Sequence, residues 1–225
     1  MSRKPRHIDI KKRLQDRMEF MSATNQLPMK GGFIEYDFLD QTLGRREIRL
    51  LLKEDFEQMS ENRLDELSAI ISQSFKKTYA LLLMSDRADA IRRIVDDRNR
   101  FDDDHFFNAP FQVSRAYEPD LCQWRPQESM AEVRDILIRK QWLIPPRLVS
   151  NIHQQFPARE FIFPFVEKPE LINYGSFGGV YKVRIAARHL EFSEGFGPVS
   201  VDLIQAFQYP KTAGKLTYLG NSARL

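Results

Sequence analysis

Between residues 64 and 82 the large apolar side chains fall at steps of three and four: Leu64, Leu67, Ile71, Phe75, Tyr79 and Leu82. That spacing lines them along one stripe of an α-helix and does not suit a strand, whose faces alternate every second residue. A stripe this wide has to be covered by other elements, so the chain needs a helical domain. Asp65, Lys76 and Lys77 fall on the remaining faces, and Asn62 stands where a cap belongs. Ser85 can open a further helix, with Ala88, Ile91 and Val95 facing inward and Arg92 and Arg93 outward. Together these predict a helical hairpin inside a helical region over residues 46–145.

A second helix carries its own start and stop. In "SMAEVRDILIRKQWLIPP" Ser129 precedes Glu132 by three residues, the spacing of a capping box, and Val133, Ile136 and Leu137 form the apolar stripe. Pro145 and Pro146 end the run. The period then turns toward β: in "REFIFPFVE" Phe161, Phe163 and Phe165 alternate, although Pro164 limits the segment to an edge or an extended strand. Residues 1–45 are polar and basic, broken by "TNQLPMKGG" and without a sustained period, and are expected to be a largely disordered or loosely docked tail.

Composition narrows the function classes. The chain has 225 residues, enough for one sizeable core or two small ones, with 42% hydrophobic and 29% charged content. No apolar run approaches the roughly 20 residues that span a bilayer. The basic start lacks the apolar core of a signal peptide, and the lone Cys122 permits no intramolecular disulfide, so an intracellular, cytoplasmic protein is expected. A net charge of +3 is too small to argue for a polyanion. Nucleic acid is therefore not an expected partner, despite Arg3, Lys4, Arg6, Lys11, Lys12 and Arg13. No membrane is expected either; another protein chain is the partner class that remains.

Acid–base and metal chemistry find no constellation. Asp102, Asp103, Asp104 and His105 are consecutive, so on a regular element they point in different directions, and they lack the glycine-centred alternation of a calcium loop. They are expected to be a solvated loop or helix end. His7, His153 and His189 are scattered, and Cys122 reads as a small packed residue. No catalytic residue and no metal ligand is assigned.

The remaining motif is "LINYGSFGGVYKVRI", Leu171 to Ile185. A glycine turn that opens a helix would suggest a dinucleotide or Walker-type loop, but here a strand follows, with Tyr181, Val183 and Ile185 on one face and Val180, Lys182 and Arg184 on the other. Strand, glycine turn, strand is a hairpin that can lie over a nucleotide. Without Cβ atoms, Gly175 and Gly178 let backbone N–H groups come close to phosphate oxygens.

"GSFGGVYKV", Gly175 to Val183, resembles the glycine-rich loop and second strand of eukaryotic protein kinases, G-x-G-x-x-G-x-V. With "RKQWLIPPRLV" and "REFIFPFVE" before it, the run from about Gln141 to Phe192 is similar to the entry into the kinase domain of fungal protein-kinase-like proteins, which carry a helical N-terminal region. The resemblance implies an α+β chain: helical region, then a partial antiparallel β lobe like the kinase N-lobe over residues 146–225. It implies ATP with magnesium as cofactor, contacted by Gly175, Ser176, Phe177, Gly178 and Val180. It also exposes departures. Asn173 stands at the first glycine, and the third-strand segment "GPVSVDLIQAF" holds no lysine; Lys211 and Lys215 lie outside a V-A-I-K context. Neither an H-R-D catalytic loop nor a D-F-G metal site occurs between Gly175 and Leu225. The expectation is a truncated, pseudokinase-like relative, inactive as this isolated chain and a weak binder of nucleotide; the alternative is a helical interaction or regulatory module that takes none.

Overall fold

The computed structural model describes residues 5–24, 32–96, 102–103, 107, 130–149, 154–157, 162–168, 170–175, 178–191, 202–205, 207–208 and 215–218. They group into two compact units. The first takes residues 5–17, 36–96 and 130–141 together with Asp102, Asp103 and Phe107; the second takes 18–24, 32–35 and the described residues from 142 onward.

The helical N-terminal region is present. Its elements are α1 (Pro5–Thr24), α2 (Tyr36–Thr42), α3 (Arg45–Asp55), α4 (Glu61–Ser74), α5 (Lys76–Leu83), a 3-10 turn (Ala88–Ala90) running into α6 (Ile91–Asp96), and α7 (Ala131–Lys140). In the first unit α3 packs on α4, and α5 packs on α4 and α7. All six stripe residues from Leu64 to Leu82 are buried, as their spacing requires.

Several local expectations are corrected. The stripe belongs to two helices, because Phe75 leaves the helical region at φ −135° and ψ 23° and separates α4 from α5. A single-residue break keeps both helices on the same apolar face, so periodicity alone does not reveal it. Ser60, not Asn62, caps α4: its hydroxyl accepts from the Arg63 N–H at 3.4 Å, and Asn62 lies inside the helix. Lys77 is buried, not on an outer face. Ser85 starts no helix; its hydroxyl donates to the Leu81 carbonyl at 2.6 Å and closes α5. At α7 the N-cap is Met130 with no side-chain cap, and Glu132 faces outward to meet Arg87 at 2.5 Å; Ser129 lies outside the described residues. Val133 and Leu137 are buried as expected.

The largest correction is to the start. A disordered tail over residues 1–45 is not what the described part shows, since α1 and α2 occupy most of it and Phe33 and Ile34 are wholly buried. In α1 Ile10, Leu14 and Met21 are buried while the faces around them carry Lys, Arg and Asp. One row of apolar residues is too narrow to stand out among long charged side chains, whose aliphatic stems supply much of the remaining cover.

The second unit has a small core of Met21, Phe33 and Ala186, against which Ile162 and Val166 pack. Residue 32 must be glycine there: a Cβ would sit 1.6 Å from the Met18 carbonyl oxygen and 2.9 Å from the Ser22 nitrogen. The Ile34 N–H donates to the Leu143 carbonyl at 2.8 Å. The strands are β1 (Leu148–Val149), β2 (Gln154–Pro157), β3 (Glu170–Gly175), β4 (Gly178–Arg184), β5 (Leu190–Glu191), β6 (Asp202–Gln205), β7 (Phe207–Gln208) and β8 (Lys215–Tyr218). They pair as β1 with β5 in parallel, and as antiparallel sets ordered β2-β8-β7 and β3-β4-β6.

The expected Phe161–Phe165 strand reduces to one antiparallel bridge between Phe165 and Ile185, with Phe161 outside the described residues. Proline at 164 withholds the N–H a ladder needs, but its carbonyl accepts from the Ala186 N–H at 2.9 Å. Phe163 and Phe165 are buried with their rings stacked 5.3 Å apart.

Candidate functional site

The glycine segment folds as the hairpin its pattern predicts. Cα partners run Glu170 with Lys182 and Leu171 with Tyr181, then Asn173 with Val180, Tyr174 with Gly179 and Gly175 with Gly178. The register shifts between Leu171 and Asn173, so Ile172 is an extra residue on β3 and Asn173 comes opposite Val180. Gly175 and Gly178 form the closing pair, and the turn between them, Ser176 and Phe177, lies outside the described residues. Of the five proposed nucleotide-contacting residues, the backbone thus brings Gly175, Gly178 and Val180 to one end of one hairpin.

What anchors the hairpin is the far end of β4. Val183 and Ile185 are buried and Arg184 is exposed, the alternation expected of a half-covered strand. The Val166 N–H donates to the Arg184 carbonyl at 2.9 Å, and Arg184 and Glu167 approach to 3.8 Å. On the other side β6 pairs antiparallel with β4, placing Gln205 opposite Tyr181, Ile204 opposite Lys182 and Leu203 opposite Val183. β6, Asp202–Gln205, is the described stretch of the segment "GPVSVDLIQAF" that lies beside β4. It carries no lysine, and Lys215 stands on β8, which pairs with β2 and β7 instead. Lys211 lies outside the described residues.

A second set of polar groups is in the helical unit, at the segment for which the sequence predicts a solvated loop or helix end. Asp103 accepts from the Lys77 N–H at 2.6 Å, the Thr78 N–H at 2.9 Å and the Thr78 hydroxyl at 2.7 Å. It is the N-terminal cap of α5, whose own N-cap residue Phe75 offers no acceptor. Burial pushes the Asp103 carboxyl up to about 6, against hydrogen bonds from Thr78 and Lys77 that favour the charged form. The Lys77 ammonium lies 4.1 Å from the centroid of the buried Phe107 ring. The signal that could have located this cap is the missing acceptor at Phe75, visible only once the break there is known.

On the α1 side, His7 Nε2 lies 3.2 Å from Asp55 Oδ1, and Arg6 reaches both Glu47 at 3.1 Å and Glu54 at 3.2 Å. The Tyr79 hydroxyl is buried with no hydrogen-bond partner among the described residues, and burial together with Asp55 and Glu54 pushes its pKa well above the usual value. Lys11 meets Asp86 at 2.7 Å, and Asp86 holds a left-handed backbone at φ 56°. Asp and Asn tolerate that region better than most residues.

Among the described residues no group of three or more His, Cys, Asp or Glu side chains is arranged to hold a metal ion, and no helix is long and apolar enough to cross a membrane. Cys122 and His153 lie outside the described residues, and His189 is buried with its ring edge-on to Phe33 at 5.8 Å. Comparison with known proteins finds no matching family model, no matching curated protein and no matching solved structure.

Proposed function

We propose that residues 170–205 are the glycine-hairpin sheet of a protein-kinase-like small lobe, and that this chain alone neither transfers phosphate nor holds nucleotide tightly. One observation carries the reading: Gly175 and Gly178 close an antiparallel hairpin whose second strand pairs onward with β6, giving the order β3-β4-β6. The closing pair at one end is two glycines, whose backbone carries no Cβ to keep a phosphate oxygen away. Ile204, opposite Lys182, stands on the strand where a phosphate-binding lysine would be required. Without that cation, and with no aspartate in a D-F-G or H-R-D setting, the residues present offer neither a metal clamp nor a hydroxyl-orienting base.

Two measurements test this. Cross-strand nuclear Overhauser effects between Gly175 and Gly178 and between Lys182 and Ile204 are expected; their absence removes the hairpin and the kinship. Calorimetry with Mg-ATP on the chain is expected to show no micromolar binding, because a hairpin covering one side of a ligand returns too little energy for ordering it. Micromolar binding would refute the weak-binder half of the proposal.

The second reading, a helical interaction module, is favoured by the exposure of Ile8 and Phe20 on α1. Light scattering discriminates: concentration-dependent association that is lost on Ile8→Ser and Phe20→Ser supports it, and a monomer at all concentrations does not.

A further inference from the structure

We propose that the first two turns of α1 are a proton-dependent clasp: His7, set against Asp55 beside the Arg6 bridge to Glu47 and Glu54, holds α1 on α3 when its ring is charged and releases it when the ring is neutral. The contact is a pairing of charges. His7 Nε2 lies 3.2 Å from Asp55 Oδ1 without completing a hydrogen bond, so what draws the two together is the attraction of an imidazolium for a carboxylate. A neutral ring has no charge to set against Asp55. Solvent cannot readily stand in, since the two side chains are only 18% and 12% exposed.

The charged and titratable groups around the ring are Asp55 and Glu54 from α3, Arg6 beside it on α1, and the Tyr79 phenol of α5, which feels the same two carboxylates. Arg6, whose guanidinium is held above its ordinary value by Glu47 and Glu54, keeps its charge throughout, so this pin does not respond to pH near neutrality. Burial pushes His7 down, but contact with Asp55, the Leu51 carbonyl and the Glu54 charge outweigh it and leave the ring above its ordinary value. With the docked value above the free one, the contribution is complete below about pH 6.5 and is lost as pH rises through the docked value. Release would uncover Ile10 and Leu14, both wholly buried when α1 is docked.

The test uses the full chain. The His7 ring, identified by its disappearance in His7→Gln, is titrated by NMR, and amide exchange of residues 6–17 is normalised to that of α4 at about pH 6 and about pH 8. The expected result is a His7 value above 6.5 that falls in Asp55→Asn. Relative protection of α1 should drop by up to about tenfold for each pH unit the docked value lies above the free one, and stay level in His7→Lys. A His7 value at or below 6.5, equal relative protection at both pH values, or a pH dependence that persists in His7→Lys overturns the clasp. Should His7→Lys not fold, Asp55→Asn decides in its place, because a pH dependence surviving there has the same meaning.

Discussion

Replacing Asp103 with alanine is the sharpest perturbation the helical unit offers. The substitution removes the acceptor for two backbone N–H groups and one hydroxyl at the start of α5, and it strips the buried Lys77 of a nearby anion. Losing an N-cap costs about 1 kcal/mol and at most about 2, and orphaning a buried donor costs about 1–3. The Thr78 hydroxyl can turn elsewhere, and removing a desolvated carboxylate returns part of the loss, so the net expected for Asp103→Ala at pH 7 is about 2–3 kcal/mol. Asp103→Asn keeps one acceptor oxygen and should lose about half as much. Urea unfolding followed by far-ultraviolet circular dichroism measures both.

The pH dependence makes the test stricter. The folded carboxyl titrates at about 6, above its ordinary 3.8, so the stability it contributes is complete below 3.8 and is lost as pH rises through about 6. Neither variant has that titration. The deficit of Asp103→Ala should therefore widen as pH falls from 7 toward 5. A deficit under about 1 kcal/mol at pH 7 would mean that Asp103 is not the working cap. One that narrows on acidification would mean that Lys77 outweighs burial and holds the carboxyl low.

Three further substitutions probe other parts. Gly32→Ala drives a methyl into the backbone of α1 at Met18 and should destabilise the second unit by about 3 kcal/mol or more; a variant melting within a few degrees of the wild type would contradict the close approach. Tyr79→Phe removes a buried hydroxyl that has no partner, so it should be neutral or stabilising by about 1 kcal/mol, and a clear loss would point to a bridging group. Glu61→Ala breaks contacts to Arg49 and Lys53, but Glu61 is 55% exposed; the melting midpoint should shift only slightly and the shift should vanish at about 1 M salt, and a large, salt-resistant loss would show a role beyond charge pairing.

What could be read from residues alone follows the range of the interactions involved. The stripe from Leu64 to Tyr79 and Leu82 was legible because burial of one helix face writes itself at every third or fourth position. Alternation beside paired glycines likewise announced β3 and β4. Illegible were features set by partners far along the chain: Asp103 caps α5 across 25 and 26 positions, and the buried Lys77 sets its ammonium against the Phe107 ring. The helical character of α1 was hidden for the opposite reason, a single apolar row whose cover comes from elsewhere in the fold.

The irregularity in β3 has its own consequence for how the segment tolerates change in length. Glu170 and Leu171 are matched on one side of Ile172, and Asn173 to Gly175 on the other, so removing that one isoleucine would leave every matched position opposite the same neighbour. The strand can shed a residue there and straighten, with the glycine bend untouched. A deletion between Gly175 and Gly178 has no such slack, since it would force each succeeding residue onto a new opposite number along the whole arm.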